Sequence, residues 1–154
     1  MEINKKTNII IGSDQGGFEL KESIKANFNG VFEFIDIGTY SLDSVDYPDI
    51  ASSLSKRLLA DNTISFGILI CGTGIGISIA ANKIKGIRCA LCYSKEVAVL
   101  AKEHNNANVL AFGGRTMEKK RVFDSIIAYA NASFSDAPRH KQRVEKIKAI
   151  EENE

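Results

Sequence analysis

A few short blocks hold the side chains in this sequence that are equipped for chemistry. Cys71-Gly-Thr-Gly-Ile-Gly76 follows an apolar, β-branched run and leads into an Ala- and Ile-rich segment, so glycine-rich backbone amides converge on a helix start and can hold an anion. The G-x-G-x-x-G dinucleotide fingerprint fails at Ile77, and no Gly-Lys-Ser/Thr of a phosphate loop follows. A tight turn that merely needs glycine is the plainer alternative. Thiols beside helix N-termini are favoured as thiolates by the helix dipole, so Cys71 is a candidate base or nucleophile. Its bland alternative is a small core hydrophobe, the reading preferred for Cys89 and Cys92, whose C-x-x-C spacing lacks a second ligand pair for zinc.

Asp14, in Gly12-Ser-Asp-Gln-Gly-Gly-Phe18, is either a carboxylate facing the same crevice or a helix N-cap. His104 precedes Asn105-Asn106 near a helix C-terminus, a place that favours imidazolium; a satisfied core histidine on an apolar stripe is the alternative. Arg139 and Arg143, at i and i+4, project from one helix face as two guanidinium forks suited to a phosphate dianion, or form an ordinary solvated face. Arg115, after Gly113-Gly114, is a third candidate.

The elements that must position these groups alternate along the chain. Strands are expected at residues 8–12, 31–37, 66–70, 87–92 and 108–112. Helices are expected after each: around Leu20, Ile24 and Phe28; over residues 48–59; over 77–85; from an N-cap at Ser94 with Val97, Leu100, Ala101 and His104 on one core-facing stripe; and around Val122 to Ala130. Strands apolar on both faces, alternating five times with helices, predict a parallel sheet covered on both sides, a three-layer α/β/α sandwich. Ligands of such sheets sit outside the carboxyl ends of the strands, which selects residues 12–18, 38–47, 71–76, 93–94 and 113–116. A sixth, basic helix from Pro138 carries Val144, Ile147 and Ile150 on an apolar stripe, more easily explained by packing on a partner subunit than on its own sheet.

With 154 residues, the chain is expected to form a single domain, residues 1–154. Twenty basic and nineteen acidic side chains give a formal charge of +1, with no broad basic surface for nucleic acid. No signal peptide or membrane span can be drawn in the sequence. Three cysteines, an odd count, suit a reducing compartment, and the expected location is the cytoplasm.

Taken together, Gly12-Ser-Asp-x-x-Gly-Phe18, Asp46-Tyr-Pro48, the run from Ile70 through Cys71 to Lys83, Glu103-His-Asn-Asn106, the run from Asn108 to Arg115, and Arg139-His-x-x-Arg143 resemble the type B ribose-5-phosphate isomerases, a family shared with galactose-6-phosphate isomerase subunits. The resemblance covers residues 8–150. It implies a Rossmann-like fold and an aldose–ketose isomerase for a phosphorylated sugar, ribose 5-phosphate or alternatively a hexose 6-phosphate, working without metal or cofactor. It also implies a homodimer, sometimes paired into a tetramer, with active sites shared between subunits. Carried over, Cys71 is the base moving a proton between C2 and C1 through an enediolate, Thr73 assists, and the amides of Gly72, Gly74 and Gly76 stabilise the oxyanion. Asp14 and His104 open the sugar ring, Asn105 binds hydroxyls, Tyr47 lines the pocket, and Arg115, Arg139 and Arg143 hold the phosphate. Isoleucine at 77, where a second branch of the family has glutamate, places the chain in the cysteine branch. Gln15 departs from the family's usual histidine: it donates a hydrogen bond and carries no charge, which touches one substrate contact.

Two other classes fit a small α/β sandwich. A receiver module needs aspartate and lysine where this chain has Cys71 and Gly113, and a flavodoxin-like module would be yellow when purified. A cysteine hydrolase using Cys71 and His104 would pass through a trappable thioester.

Overall fold

The computed structural model describes residues 7–153. The elements follow the order β1 (Thr7–Ser13), α1 (Phe18–Asn27), β2 (Phe32–Asp36), α2 (Tyr47–Ala60), β3 (Phe66–Cys71), α3 (Ile75–Ala81), β4 (Cys89–Leu91), α4 (Lys95–Asn105), β5 (Val109–Gly113), α5 (Lys119–Ala130) and α6 (Pro138–Glu152). The five strands form one parallel sheet in the order β2-β1-β3-β5-β4. Successive strand side chains point to opposite faces, and the apolar runs serve both. Ile9, Ile11, Ile68, Ile70, Leu110 and Phe112 pack under α1, α4 and α5, whereas Ile10, Leu69, Cys71, Val109 and Ala111 pack under α2 and α3. The fold is therefore the three-layer α/β/α sandwich expected from the alternation.

Three local departures bear on the site. α3 stops at Ala81 rather than reaching residue 85, because the Asn82 side chain turns to the next strand: its Nδ2 donates to the Cys89 carbonyl (2.9 Å) and its Oδ1 accepts from the Cys89 N–H (2.8 Å). β4 is shorter than its apolar run, since the Arg88 N–H is taken by the Asn108 Oδ1 at 2.8 Å. In α4 the Ser94 cap forms as expected, accepting from the Val97 N–H at 3.2 Å, but the core-facing stripe is corrected. Ala98 and Ala101 are the residues buried against the sheet layer, while Leu100 is 45% exposed and Val97 and His104 are half-buried. Small alanines let α4 lie close to its neighbours; Val97 still packs against the same core, whereas Leu100 turns to a groove it shares with Ile147 and Ile150 of α6.

Of the α6 stripe expected to face a partner subunit, Val144 is corrected, for the inner face of the helix packs on its own chain. His140 and Val144 are buried and α6 contacts α4; near its end Glu151 Oε2 accepts from the Gly86 N–H at 3.1 Å. Its outer stripe, Ile147 and Ile150, remains open. Among the described residues no helix is long and apolar enough to cross a membrane.

Candidate active site

Parallel pairing places Cys71 beside Gly113 and Ser13 beside Ile70, so the carboxyl ends of β1, β3 and β5 meet in one row. The turns that leave them are stitched together through the backbone. Asp14 N–H donates to the Ile70 carbonyl (3.2 Å), Gly114 N–H to the Cys71 carbonyl (2.8 Å) and Arg115 N–H to the Gly72 carbonyl (2.9 Å). The Gly114 backbone lies against that of Gly16: a Cβ built on Gly114 would stand 2.4 Å from the Gly16 carbonyl oxygen.

Cys71, buried at the end of β3, accepts a hydrogen bond at Sγ from the Gly74 N–H at 3.2 Å. Gly74 opens α3 in the left-handed region (φ 79°), a conformation glycine adopts without a Cβ clash. The turn thus curls back to present an amide to the sulfur. Thr73 is exposed and its Oγ1 accepts from the Ile75 N–H at 3.2 Å. The Tyr47 ring rests on Gly76, where an added Cβ would come within 2.7 Å of Cζ, and the Arg115 guanidinium lies over Gly72, Nη1 being 3.4 Å from such a Cβ.

Asp14 is buried, its Oδ1 accepting from the N–H groups of Gly16 (2.9 Å) and Gly17 (3.2 Å). Burial raises its carboxyl above the ordinary value, and those two hydrogen bonds and the Arg115 charge offset only part of the effect. A carboxyl group tuned this way suits proton exchange. Gln15 is already engaged: its Oε1 accepts from the Val45 N–H at 2.9 Å, leaving the NH2 end as the donor for a ligand.

The structure brings Asp14, Gln15, Tyr47, Cys71, Thr73, Gly72, Gly74, Gly76 and Arg115 together and leaves the other four expected residues elsewhere. α4 runs back from the carboxyl edge of β4, so His104 and Asn105 sit where β5 begins. The Arg88 Nε donates to the Asn105 and Asn106 carbonyls there, at 3.1 and 3.0 Å. The length of β5, about 13 Å at 3.3 Å per residue, separates that end from Cys71. Arg139 and Arg143 lie at the same far end, because Ser135 N–H donates to the Glu103 carbonyl (2.9 Å) and starts α6 beside His104. The Asp14–His104 pairing is thus not made within one chain.

Sequence reading did not foresee that His140 stacks on His104, with ring centroids 4.1 Å apart and planes 25° apart. His140 is buried and its Nδ1 has no hydrogen-bond partner. Burial first, then the His104, Arg139 and Arg143 charges, push its pKa below the ordinary imidazole value. Its only sequence signal was its place between the two arginines.

Burial pushes the Cys92 thiol up to about 12 and raises Cys89 too, where the nearby Cys92 adds to the effect; both fit the inert role expected of them, although Cys89 is only half-buried. Cys89, Leu91, Val97, Leu100, Ile147 and Ile150 line an apolar groove of about 1000 Å³ along the outer edge of β4, and neither Cys71 nor Asp14 borders it. Among the described residues no group of three or more His, Cys, Asp or Glu side chains is arranged to hold a metal ion.

A family model described as Ribose/Galactose Isomerase matches residues 9–147. Ribose-5-phosphate isomerase B of Escherichia coli is 45% identical over 146 residues, covering 94% of this chain and 96% of the relative. Among solved structures, ribose-5-phosphate isomerase B of Clostridium thermocellum superposes with a TM-score of 0.91 at 42% identity, over 96% of this chain and 99% of the other. The ribose 5-phosphate isomerase of Thermotoga maritima gives 0.90 at 44% identity, over 94% and 99%.

Proposed function

This chain belongs to the ribose/galactose isomerase family, and on that premise we propose that it interconverts ribose 5-phosphate and ribulose 5-phosphate with Cys71 as the base. The observation that carries the reading is the Cys71 sulfur at the end of β3, with the Gly74 N–H 3.2 Å away as a donor suited to a sulfur carrying negative charge. Asp14 follows the end of the adjacent strand β1 and Arg115 lies over the glycine loop after Cys71.

In this mechanism Asp14 and His104 move protons between the ring oxygen and the C1 hydroxyl, opening the sugar to its aldehyde. The Cys71 thiolate takes the C2 proton, and the electron pair of that bond forms the C1–C2 double bond of an enediolate. Thr73 helps move the hydroxyl proton from O2 to O1. Cys71 then returns its proton to C1, leaving the ketone at C2. With the Gly74 N–H given to the Cys71 sulfur, the amides of Gly72 and Gly76 stabilise the oxygen on which charge develops; preorganised donors of this kind contribute about 3 to 4 kcal/mol each. Arg115, Arg139 and Arg143 hold the phosphate, while Tyr47, Gln15 and Asn105 border the sugar.

Because His104, Asn105, Arg139 and Arg143 lie at the far end of the sheet from Cys71, a second copy supplies them. The open edge of β4, with the groove beside it, is the surface proposed for that copy: an unpaired edge and exposed Leu100, Ile147 and Ile150 support an interface there. The three free thiols suit a cytoplasmic setting.

The test is ribulose 5-phosphate formation by the purified protein in heavy water, where solvent deuterium is expected at C1 of the product. Cys71→Ala is expected to abolish turnover with the fold retained. Near wild-type turnover by that variant would remove Cys71 from the role of base.

A further inference from the structure

Lys21 is a charged side chain with no exposed surface, and none of the proton transfers above uses it. A lysine is almost never fully buried unless it is paired. Here the Nζ donates to Asp36 Oδ2 at 2.5 Å and to Glu22 Oε2 at 3.1 Å, and it lies 5.3 Å from the Phe18 ring centroid and 5.6 Å from that of Tyr40. Asp36 closes β2. Its Oδ2 also accepts from Lys25 (2.8 Å), its Oδ1 from the Gly38 N–H (2.9 Å), and its carbonyl from the Tyr40 hydroxyl (3.0 Å). One carboxylate therefore ties α1 to the start of the segment 37–46.

The same segment is fastened to the end of β1, on both sides of Asp14. Ser13 N–H donates to the Gly38 carbonyl and Thr39 N–H to the Ser13 carbonyl, both at 2.7 Å, while Val45 N–H is held by Gln15. The segment then delivers Tyr47 onto Gly76. Buried ion pairs are weak sources of stability, because desolvation opposes their attraction. What this pair fixes is where the segment starts.

We propose that Lys21 is a positioning residue, which through Asp36 and Tyr40 sets the 37–46 segment so that Ser13, Gln15 and Tyr47 hold the pocket around Asp14 and Cys71. It rests on the isomerase reading of that pocket.

The experiment compares Lys21→Met, Asp36→Asn and the double variant by amide hydrogen exchange and by kcat and KM on ribose 5-phosphate. Exchange at Thr39 and Val45 is expected to quicken at least tenfold while β3 and β5 amides keep their wild-type rates. Turnover, kcat/KM, is expected to drop on the order of tenfold to a hundredfold, the cost of about 1 Å of misplacement, and the double variant to be no worse than the poorer single one. A lower melting temperature with unchanged kcat/KM, or with exchange that quickens uniformly across the molecule, overturns the proposal. Should Lys21→Met not fold, Asp36→Asn carries the same test, since it keeps an acceptor for the Gly38 N–H. Wild-type protein that fails to turn over ribose 5-phosphate, while Thr39 and Val45 exchange still responds, defeats the isomerase reading and leaves the coupling standing.

Discussion

Gly114→Ala places one methyl group between two turns of the candidate site and touches no residue assigned to chemistry. The new Cβ would stand 2.4 Å from the Gly16 carbonyl oxygen and 3.1 Å from the Gly17 Cα, both backbone atoms that cannot swing aside. Ordinary contact begins near 3.4 Å, so the two turns must part by about 1 Å. Gly16 and Gly17 supply the N–H groups, at 2.9 and 3.2 Å, that hold the Asp14 carboxylate. Parting the turns therefore moves Asp14 relative to Cys71. Overpacking of this kind costs about 1 to 3 kcal/mol of stability, and misplacement by about 1 Å costs on the order of a hundredfold in rate. The assay pairs thermal melting with kcat/KM on ribose 5-phosphate at a temperature where the variant is folded. Ile126→Val serves as a control: it trims a buried side chain in α5 for about 1 kcal/mol and should leave kcat/KM unchanged. A folded Gly114→Ala with kcat/KM within twofold of wild type would refute the argument that the spacing of these turns sets the position of Asp14.

Mixing two inactive variants tests the proposal that the site is shared between two chains. Cys71→Ala and His104→Asn are each expected to be inactive, and random reassociation should restore about a quarter of wild-type activity, since half the dimers are mixed and each carries one intact site; no recovery would place both residues in the same chain's site. Asp14→Asn keeps an acceptor for the Gly16 and Gly17 amides but loses the proton. Because the folded pKa lies above the unfolded one, Asp14 contributes stability at acid pH that is lost as the pH rises through the folded value. The variant should therefore gain melting temperature relative to wild type toward neutral pH and not at acid pH, and it should lose the acid limb of the kcat/KM profile, which wild type should show above the ordinary carboxylate value. An advantage independent of pH would mean that the carboxyl is not strained by burial.

The sheet was legible because runs such as Ile9-Ile-Ile11 and Ile68-Leu-Ile70 are short, apolar at every position and alternate with helical segments, as strands covered on both faces require. The strand-end residues of the site were legible for the same reason, since the carboxyl ends follow from the strands themselves. Element ends were harder to read where side chains compete with backbone pairing, as Asn82 does at the end of α3. The stripe on α4 has helical period on two faces, and sequence spacing cannot tell whether Leu100 meets the core or a groove. Lys21 lay beyond reach: between Leu20 and Ile24 a lysine reads as a solvated position, and only the return of β2 past α1 brings Asp36 to it. Nor does spacing show that α4 carries His104 away from Asp14.

The strand β5 lies between the two groups of proposed site residues, and the proposed assembly of the pocket across copies would make catalysis depend on how many chains meet. Specific activity should then be constant at high protein concentration and decline on dilution, with rate approaching the square of concentration once most chains are single.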